Sequence, residues 1–287
     1  MKILLTGIKG QLGQSFTNKI PNEWSVISAD KNTLDVGNEI NVHNVVSEIR
    51  PDVIINAAAC TSVDAAESDI DGFERVNHLG AKYIAQAAEK YKSKLIHLST
   101  DYVFDGKSTE PYKETSATNP LNIYGKTKLY GELAVLANHQ NAIIIRTSWV
   151  YSEYGQNFLK TILGLLSKNI DIRVVGDQIG APTYAPDLAK LIIDIIRDDK
   201  LTPGVFHYCG DTIMSWYDFS CEISKRLGYT GDRISCVSSD NYKTAAVRPP
   251  YSVLNCEKLE SLGYNRSGFS NGIKQSINNI LNAKAKI

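Results

Sequence analysis

The first thirteen residues constrain the fold of this chain more than any other segment does. An apolar strand at residues 1–6 runs into a turn at residues 7–13 that reads GIKGQLG. Its G-x-x-G-x-x-G spacing is a variant of the dinucleotide-binding fingerprint. The first Gly permits a tight turn, the second lets the backbone approach a pyrophosphate, and the third lets the next helix pack on the sheet. An ordinary strand-to-helix loop also uses Gly, but this position between a strand and a plausible helix predicts a bound dinucleotide.

The second predicted strand, residues 24–29, ends at Asp30. A carboxylate about 20 residues after the glycine turn accepts hydrogen bonds from the adenosine ribose, which favours NAD. Lys31 instead favours NADP, since its ammonium can pair with the 2′-phosphate of that cofactor. Asp30 can equally be a simple turn residue. The sequence therefore predicts NADPH or NADH as the cofactor and leaves the choice between them open.

Apolar strands and helical stretches alternate along the chain. The further predicted strands lie at 51–56, 94–98, 142–146, 172–175 and 205–208, and the predicted helices lie at about 73–91 and 123–137. This alternation indicates an α/β fold with a doubly wound parallel sheet of the Rossmann type, covered on both faces. Ligands of such sheets bind beyond the carboxyl ends of the strands. Four candidate residues lie at such ends, namely Gly7, Asp30, Ala57 and Thr100.

Composition narrows the class of protein. With 287 residues, 43% of them hydrophobic, the chain can bury a large core. Its 31 acidic and 31 basic residues cancel, so no overall field favours a nucleic-acid or membrane partner. Five widely spaced cysteines without a C-x-x-C pair argue against a zinc site or a disulfide framework. No apolar run approaches the ~18 residues of a membrane span and no signal peptide is evident, so we expect a cytoplasmic protein.

A Tyr, a Lys and a Thr form the candidate catalytic group. Tyr124 and Lys128 are four residues apart in a predicted helix and therefore share one face of it. We expect the ammonium of Lys128 to lower the pKa of the Tyr124 phenol from its usual value of about 10. Thr100 lies just past a buried strand. These groups can pass a proton to a carbonyl oxygen while a hydride reaches its carbon, although Tyr-x-x-x-Lys also occurs by chance in a chain with 15 tyrosines.

After about residue 150 the strand–helix pattern loosens, and prolines in polar loops suggest a smaller, mixed lobe. Three unusual phrases lie there, GQNF at 155–158, DQIGAPT at 177–183 and RPPYSVLN at 248–255. Arg248, beside two prolines, can grip a phosphate with two N–H groups, or it can form an ordinary surface salt bridge. The Pro-Thr pair of the second phrase can equally be a turn into a helix N-cap. We predict a dinucleotide-binding domain at 1–150 and a mainly substrate-binding lobe at 151–287, with some segments returning to the sheet.

Further short motifs in the N-terminal 151 residues add to these three phrases. They are TG at 6–7, GQLG at 10–13, NAAA at 56–59 followed by Thr61, Val63-Asp64 and Ala66-Glu67, STDYVF at 99–104, NIYGKTK at 122–128 and RTSWVY at 146–151. With the three C-terminal phrases, the chain resembles the dTDP-4-dehydrorhamnose reductases, a family of the extended short-chain dehydrogenase/reductase superfamily. The resemblance covers residues 1 to about 255. The phrases STDYVF and DQ-x-G-x-PT are much more specific than the Tyr-x-x-x-Lys of the whole superfamily.

The resemblance implies an NAD(P)H-dependent oxidoreductase that reduces the C4 keto group of dTDP-4-dehydro-L-rhamnose to dTDP-L-rhamnose, for cell-surface polysaccharide synthesis. Tyr124 would then donate a proton to the carbonyl oxygen, Lys128 would bind the nicotinamide ribose, and Thr100 would tune the proton transfer. The glycine turn and the resemblance to the family together predict which residues contact the cofactor. They are Tyr124, Lys128, Gly7, Gly10, Gln11, Leu12, Gly13, Asp30, Lys31, Asp35, Val36, Ala57, Ala58 and Ala59. The candidate substrate-binding residues are Thr100, Asp101, Trp149, Asn157, Thr183 and Arg248.

The expectations on metal binding and assembly follow from one departure from the family pattern. Some members of the resembled family dimerise through a magnesium ion held by glutamates on facing subunits. This chain has Ser15 at the early-helix acidic position, and Asp187 alone remains of the later acidic cluster. We therefore assign no metal, and a homodimer is one possibility.

Two other functions stay open. Another nucleotide-4-keto-sugar reductase or epimerase of the same superfamily would share these motifs, because stereochemistry depends on small displacements in the site. A non-catalytic regulatory subunit is the second alternative. A site that has lost its catalytic activity has no chemical need of Thr100, Tyr124 and Lys128 together, which argues against it. In the enzymatic cases the expected partner is a small-molecule nucleotide sugar.

Overall fold

A parallel sheet with helices on both faces organises most of the molecule. The computed structural model describes residues 1–168, 170–229 and 233–284. Within them the strands are β1 (Lys2–Thr6), β2 (Ser25–Ala29), β3 (Val53–Asn56), β4 (Lys94–Thr100), β5 (Ile143–Thr147), β6 (Val150–Tyr151), β7 (Ile172–Val175), β8 (Ile179–Gly180), β9 (Thr183–Tyr184), β10 (Gly204–Tyr208), β11 (Met214–Ser215) and β12 (Ile234–Val237). The α-helices are α1 (Gln11–Thr17), α2 (Glu39–Ile49), α3 (Val63–Ala66), α4 (Ile70–Phe73), α5 (Gly80–Tyr91), α6 (Ile123–Asn138), α7 (Phe158–Ser167), α8 (Ala185–Asp198), α9 (Trp216–Arg226), α10 (Glu257–Glu260) and α11 (Phe269–Lys284).

The main sheet has six strands in the order β2-β1-β3-β4-β5-β10, and every neighbouring pair is parallel. The order reverses between β1 and β3, which lie side by side although β2 separates them in the chain. Thr6 at the end of β1 pairs with Ala29 on one side and with Asn56 on the other. The residues that follow these three strands therefore meet at one edge, at the switch point where doubly wound sheets bind ligands. The predicted fold class is confirmed.

Alternate residues of β1 face opposite layers of helices. Ile3 and Leu5 pack in one apolar cluster with Phe16 of α1 and Leu188 of α8. Leu4 points the other way, into a cluster that contains residues of α2, α5 and α6. Each fully buried Ile or Leu contributes about 1.5–3 kcal/mol to folding. The continuous apolar strands read from the sequence are therefore explained, because both of their faces are covered.

The second half of the chain both returns to this sheet and builds a lobe of its own. The strand predicted at 205–208 is β10, which pairs with β5 at the sheet edge. The strand predicted at 172–175 is β7, which does not continue the main sheet but pairs with β12. Helices α7, α9 and α11 pack with these two strands around Phe219 and Ile273. Arg173 in the middle of β7 is exposed, as suits a small sheet with one open face and not a doubly covered one.

The helix predicted at 73–91 is interrupted. It begins as α4, passes through a π-helical segment at Glu74–Leu79 and continues as α5. Such wide turns re-aim side chains and often occur at functional sites. Here the buried Asn77 lies in the π-helical segment. Within the described residues, no helix has the length and apolar character needed to cross a membrane.

Candidate active site

The glycine turn has a conformation that fits a dinucleotide. Gly7 has a φ of +71°, and a Cβ there would lie 2.6 Å from the carbonyl oxygen of Ala57. A Cβ on Gly13 would lie 2.5 Å from the carbonyl oxygen of Gly7, so only glycine allows α1 to start this close to the strand. Gly10 precedes α1 and offers no capping side chain, which leaves the first N–H groups of the helix for a ligand. Leu12 anchors the turn in the core.

The side chain of Gln11 holds the turn against the second half of the chain. Its Nε2 donates to the carbonyl oxygen of Val150 at 3.0 Å, and its Oε1 accepts from Asn157 Nδ2 at 2.9 Å. Asn157 also donates to the carbonyl oxygens of Ser152 and Tyr154, while its Oδ1 caps α7. The amide of Asn157 is thus fully engaged within the protein. These hydrogen bonds position the segment, and the contact of Asn157 with the substrate stays a prediction.

Thr183 also has a structural role. It is fully buried, its Oγ1 donates to the carbonyl oxygen of Ser148 at 2.6 Å, and its N–H donates to that of Trp149 at 3.2 Å. Thr183 therefore fixes the segment that carries Trp149, and its contact with the substrate stays a prediction. The indole of Trp149 stacks on Trp216 with ring centroids 3.5 Å apart. One face of the indole is thus covered, and its contact with a sugar stays a prediction.

Lys9, inside the glycine turn, was not among the predicted residues. Its ammonium lies 2.6 Å from the carboxylate of Asp30, where the ribose of the adenosine was expected. This contact and the N–H groups of Asn32 and Thr33 lower the pKa of Asp30 to about 2. The Lys9 side chain is 77% exposed and is free to change partners. A basic residue between two turn glycines was the signal available in the sequence.

Other predicted cofactor residues lie around the same edge. The carboxylate of Asp35 accepts from Arg75 at 2.8 Å, and this bond is the main reason that its pKa is lowered. The charge of Lys31 has the same effect to a smaller degree, so Lys31 also faces this region. Val36 is buried beside Gly80. The guanidinium of Arg75 is a further cation near the predicted adenosine site that sequence reasoning missed.

The loop after β3 is hydrogen-bonded to the end of β1 and to the π-helical segment. The N–H of Ala58 donates to Thr6 Oγ1 at 3.1 Å, and Ala59 continues the loop with a partly exposed side chain. Asn77 in the π-helical segment accepts from the N–H of Cys60 at 2.9 Å and donates to its carbonyl oxygen at 3.0 Å. Its Nδ2 also donates to Thr127 Oγ1 on α6 at 3.2 Å. Asn77 therefore joins the expected nicotinamide side of the sheet to the helix of Tyr124, a role that no local pattern indicated.

The structure brings the three predicted catalytic residues together. Tyr124 and Lys128 lie in the first two turns of α6, whose N-cap Asn122 accepts from the N–H of Gly125 at 2.8 Å. The Tyr124 hydroxyl is hydrogen-bonded to Thr100, the last residue of β4. Lys128 Nζ donates to the carbonyl oxygen of Leu98 at 2.6 Å, two residues before Thr100. The proton donor and the ammonium thus converge on the carboxyl end of one strand.

Burial decides the pKa values of this group. It raises the pKa of Tyr124 to about 12, while the hydrogen bond from Thr100 opposes the shift. The Tyr124 side chain is partly exposed, but its phenol oxygen lies among protein atoms. The expectation of a lowered pKa is corrected, because desolvation of the phenol outweighs the opposing hydrogen bond. Burial also lowers the pKa of Lys128 to about 8, so near neutral pH Tyr124 holds its proton and Lys128 is mostly charged.

A buried ion pair lies below Lys128. Glu132, one turn further along α6, pairs with Arg146 of β5 through contacts of 2.6 and 2.9 Å. Ser99 donates to the same carboxylate. The charge of Glu132 raises the pKa of Lys128 and so partly offsets the burial. The spacing of four residues on one helix was the signal that could have found Glu132.

Arg248 lines a cavity of about 700 Å³ next to the catalytic group. Its guanidinium makes a two-pronged pair with Asp64, with contacts of 2.6 and 3.1 Å. Tyr102 lines the same cavity and makes an edge-on contact with the ring of Tyr124, with centroids 5.6 Å apart. The other charged lining residues are Arg173 and Lys243. Three cations thus face one carboxylate, an arrangement suited to an anionic ligand.

The Lys9–Asp30 pair predicts how cofactor preference can be changed. We expect the native protein to use both NADH and NADPH. Asp30→Ala should shift preference toward NADPH, because it removes a ribose acceptor and the repulsion of the 2′-phosphate. Lys9→Met should shift it toward NADH by roughly tenfold, the value of one charge-assisted contact. The matched control is Lys94→Met, which breaks an exposed pair with Asp199 at the start of β4. The readout is the ratio of kcat/KM for the two cofactors, and an unchanged ratio in Asp30→Ala would show that Asp30 does not face the ribose.

The fold and this site define a class of protein. A doubly wound sheet with a glycine turn at its switch point, and a Thr–Tyr–Lys group at the end of β4, is the arrangement of the extended short-chain dehydrogenases/reductases. The family model for the RmlD substrate binding domain matches residues 1–282. The chain belongs to this family, and the predicted resemblance is confirmed.

Named relatives cover nearly the whole chain. The dTDP-4-dehydrorhamnose reductase of Aggregatibacter actinomycetemcomitans is 39% identical over 286 residues, which cover 95% of this chain and 97% of the relative. A dTDP-4-keto-6-deoxy-D-glucose reductase of Streptomyces niveus is 36% identical over 91% of this chain and 90% of its own length. The crystal structure of a dTDP-4-dehydrorhamnose reductase from Bacillus anthracis in complex with NADP has a TM-score of 0.92 and 36% identity, and covers 96% of this chain and 98% of its own.

Proposed function

We infer that this protein is an NAD(P)H-dependent oxidoreductase that reduces the C4 keto group of dTDP-4-dehydro-L-rhamnose to dTDP-L-rhamnose, a precursor for cell-surface polysaccharide. One observation carries this inference. The Tyr124 hydroxyl, protonated at neutral pH and hydrogen-bonded to Thr100, lies at the same sheet edge as the glycine turn. Family membership and the NADP complex of the related reductase agree with it.

The chain's own residues hold the reactants and move the proton. The glycine turn, the Lys9–Asp30 pair and the loop after β3 would bind the cofactor, which supplies a hydride to the carbonyl carbon. Tyr124 donates its proton to the carbonyl oxygen. Thr100 holds the phenol in place through its hydroxyl. Lys128, one helical turn away, carries the positive charge that offsets the tyrosinate left behind.

The cavity beside Tyr102 would hold the nucleotide part of the substrate. Its surplus of cations suits a diphosphate, and the aromatic rings of Phe158 and Trp216 in its wall suit a base. We propose that residues 1–150 mainly hold the cofactor and residues 151–287 mainly hold the nucleotide sugar. Asp64 and Tyr102 reach across this division to line the cavity.

The deciding experiment is incubation with dTDP-4-keto-L-rhamnose and NADPH or NADH, followed by identification of the sugar product by NMR. We expect dTDP-L-rhamnose with both cofactors. The relative from Streptomyces niveus favours a second candidate substrate, dTDP-4-keto-6-deoxy-D-glucose. Faster turnover of that sugar would replace the proposed substrate, and turnover of neither would leave a non-catalytic role.

Assembly, metal binding and location stay predictions. Ser15 Oγ donates to the carbonyl oxygen of Gln11, and Asp187 accepts from Ser267 and from the N–H of Gly268. Among the described residues, no group of three or more His, Cys, Asp or Glu side chains could hold a metal ion. Light scattering with and without magnesium would test the homodimer.

A further inference from the structure

A buried carboxyl group lies next to the catalytic group. Asp101 begins the short helical turn after β4 and is 2% exposed. Its Oδ1 accepts from Thr100 Oγ1 at 3.0 Å. Its Oδ2 is buried, and no cation among the described residues is hydrogen-bonded to the carboxyl group. A buried carboxylate without a paired cation is costly, so this environment favours the neutral acid.

Asp101, Thr100 and Tyr124 form one hydrogen-bonded chain. Thr100 contacts Asp101 on one side and the Tyr124 hydroxyl on the other, while the N–H of Tyr102 donates to Thr100 Oγ1 at 3.2 Å. A hydroxyl has one donor and two acceptor positions. With a proton on Asp101, Thr100 can accept from Asp101 and Tyr102 and donate to Tyr124. This row of hydrogen bonds ends at the partly exposed Tyr124 ring.

Tyr124 loses its proton in every turnover, and this hydrogen-bonded chain can return one before the product leaves. We propose that Asp101 is the proton reserve of the site and reprotonates Tyr124 through the Thr100 hydroxyl. This inference rests on the proposed reduction. The Tyr124 O–H bond breaks as the O–H bond of the product alcohol forms. The Thr100 proton then moves to Tyr124 Oη, and the Asp101 proton moves to Thr100 Oγ1.

The net change is the loss of one proton from Asp101, with no electrons exchanged among the three side chains. After product release, a proton from water at Tyr124 restores Asp101 through the same chain. Proton transfer from Asp101 to the Tyr124 phenolate is favourable. Burial raises the pKa of Asp101 to about 7, which is well below the pKa of Tyr124. Ser252 and Thr100 oppose the shift. The titratable neighbours are Tyr102 and Tyr124, both with raised pKa values, and the Arg248–Asp64 pair lies beyond Tyr102.

The test variant is Asp101→Asn, which keeps the size and the hydrogen bond to Thr100 but cannot titrate. We expect kcat to fall by roughly tenfold, less than the full value of general acid catalysis because Tyr124 remains the donor, with little change in KM for the sugar. In the native protein kcat should fall as pH rises through about 7. In Asp101→Asn this fall should disappear, leaving the fall near 8 at which Lys128 loses its charge.

A second arm tests the route. In a Thr100→Val background, Asp101→Asn should have no further effect on kcat, and Thr100→Ser should restore the dependence on Asp101. Unchanged kcat and pH profile in Asp101→Asn would overturn the proposal. A change in KM alone would do so too, since it would mark Asp101 as a sugar contact only.

A third arm needs no turnover. The pKa of Asp101 rises from 3.8 in the unfolded chain to about 7 in the folded protein, so the native protein loses stability as pH rises between these values. Asp101→Asn has no such loss. The Tm of Asp101→Asn minus the Tm of the native protein should therefore increase over this pH range and then level off. A difference that stays constant with pH would contradict a protonated Asp101. If the native protein reduced neither sugar, the proposed function would fail while this measurement still reported on Asp101.

Discussion

Tyr124→Phe will lower turnover of the 4-keto sugar by roughly two orders of magnitude or more, the usual value of a positioned general acid. The substitution keeps the ring, which contacts Tyr102 edge-on, and removes the proton donor. Because the pKa of Tyr124 is about 12, the native residue is protonated throughout the working pH range. Binding of NADPH should survive, since the glycine turn is untouched. Single-turnover kinetics and calorimetric titration with NADPH measure the two effects separately.

Tyr130→Phe is the matched control for this result. Tyr130 lies on the same helix but is 47% exposed, where its ring meets His78. Its hydroxyl has no place in the proposed proton transfer, so turnover should stay near the native value. A Tyr124→Phe protein as active as this control would refute the assignment of the proton donor.

Arg248→Ala will weaken binding of the nucleotide sugar by roughly tenfold to a hundredfold, since a charge-assisted contact with phosphate contributes about 1.5–3 kcal/mol. Arg248 is held by Asp64 in the cavity wall, and its side chain is 20% exposed. Remote binding energy of this kind would hold the C4 carbonyl against Tyr124. Affinity for NADPH should barely change, because the glycine turn lies at the end of β1 on the main sheet.

Asp64→Asn separates a phosphate contact from a structural ion pair. The amide keeps an acceptor for the N–H of Ala246 but releases Arg248 and removes a negative charge from the cavity. Binding of dTDP-rhamnose should then be equal or tighter. Calorimetry with dTDP-rhamnose and, separately, with NADPH decides the matter for Arg248→Ala. Equal loss for both ligands would mean that Arg248 supports the fold, and loss for neither would reduce it to a salt bridge.

The glycine turn and the Tyr124–Lys128 pair were readable in the sequence because each depends on neighbours a few residues away. Gly7 needs its positive φ for a turn that the sequence itself spells out, and two residues four apart on a helix must share a face. The order β2-β1-β3 was not predicted, although alternating strands and helices made the parallel sheet itself the natural expectation.

Positioning roles that depend on distant partners were missed. Asn157 was predicted as a substrate contact, and only the structure shows that its amide also donates to Gln11, 146 positions earlier. Thr183 was predicted in the same way, and only the structure shows that it is fully buried and donates to Ser148. The π-helical segment that aims Asn77 at Cys60 left no periodic signal. In each case the partner is set by how loops meet in space, which local patterns do not encode.

The sequence by itself determined the fold class and the candidate positions of the dinucleotide and the proton donor, because these follow from short-range spacing and apolar periodicity. The tertiary structure alone decided the proton affinities of the site. Spacing predicts that Lys128 lowers the pKa of Tyr124, whereas burial raises it to about 12 and gives Asp101 a pKa of about 7. Desolvation depends on every atom packed around a group, and that packing exists only once strands and loops from the whole chain have come together.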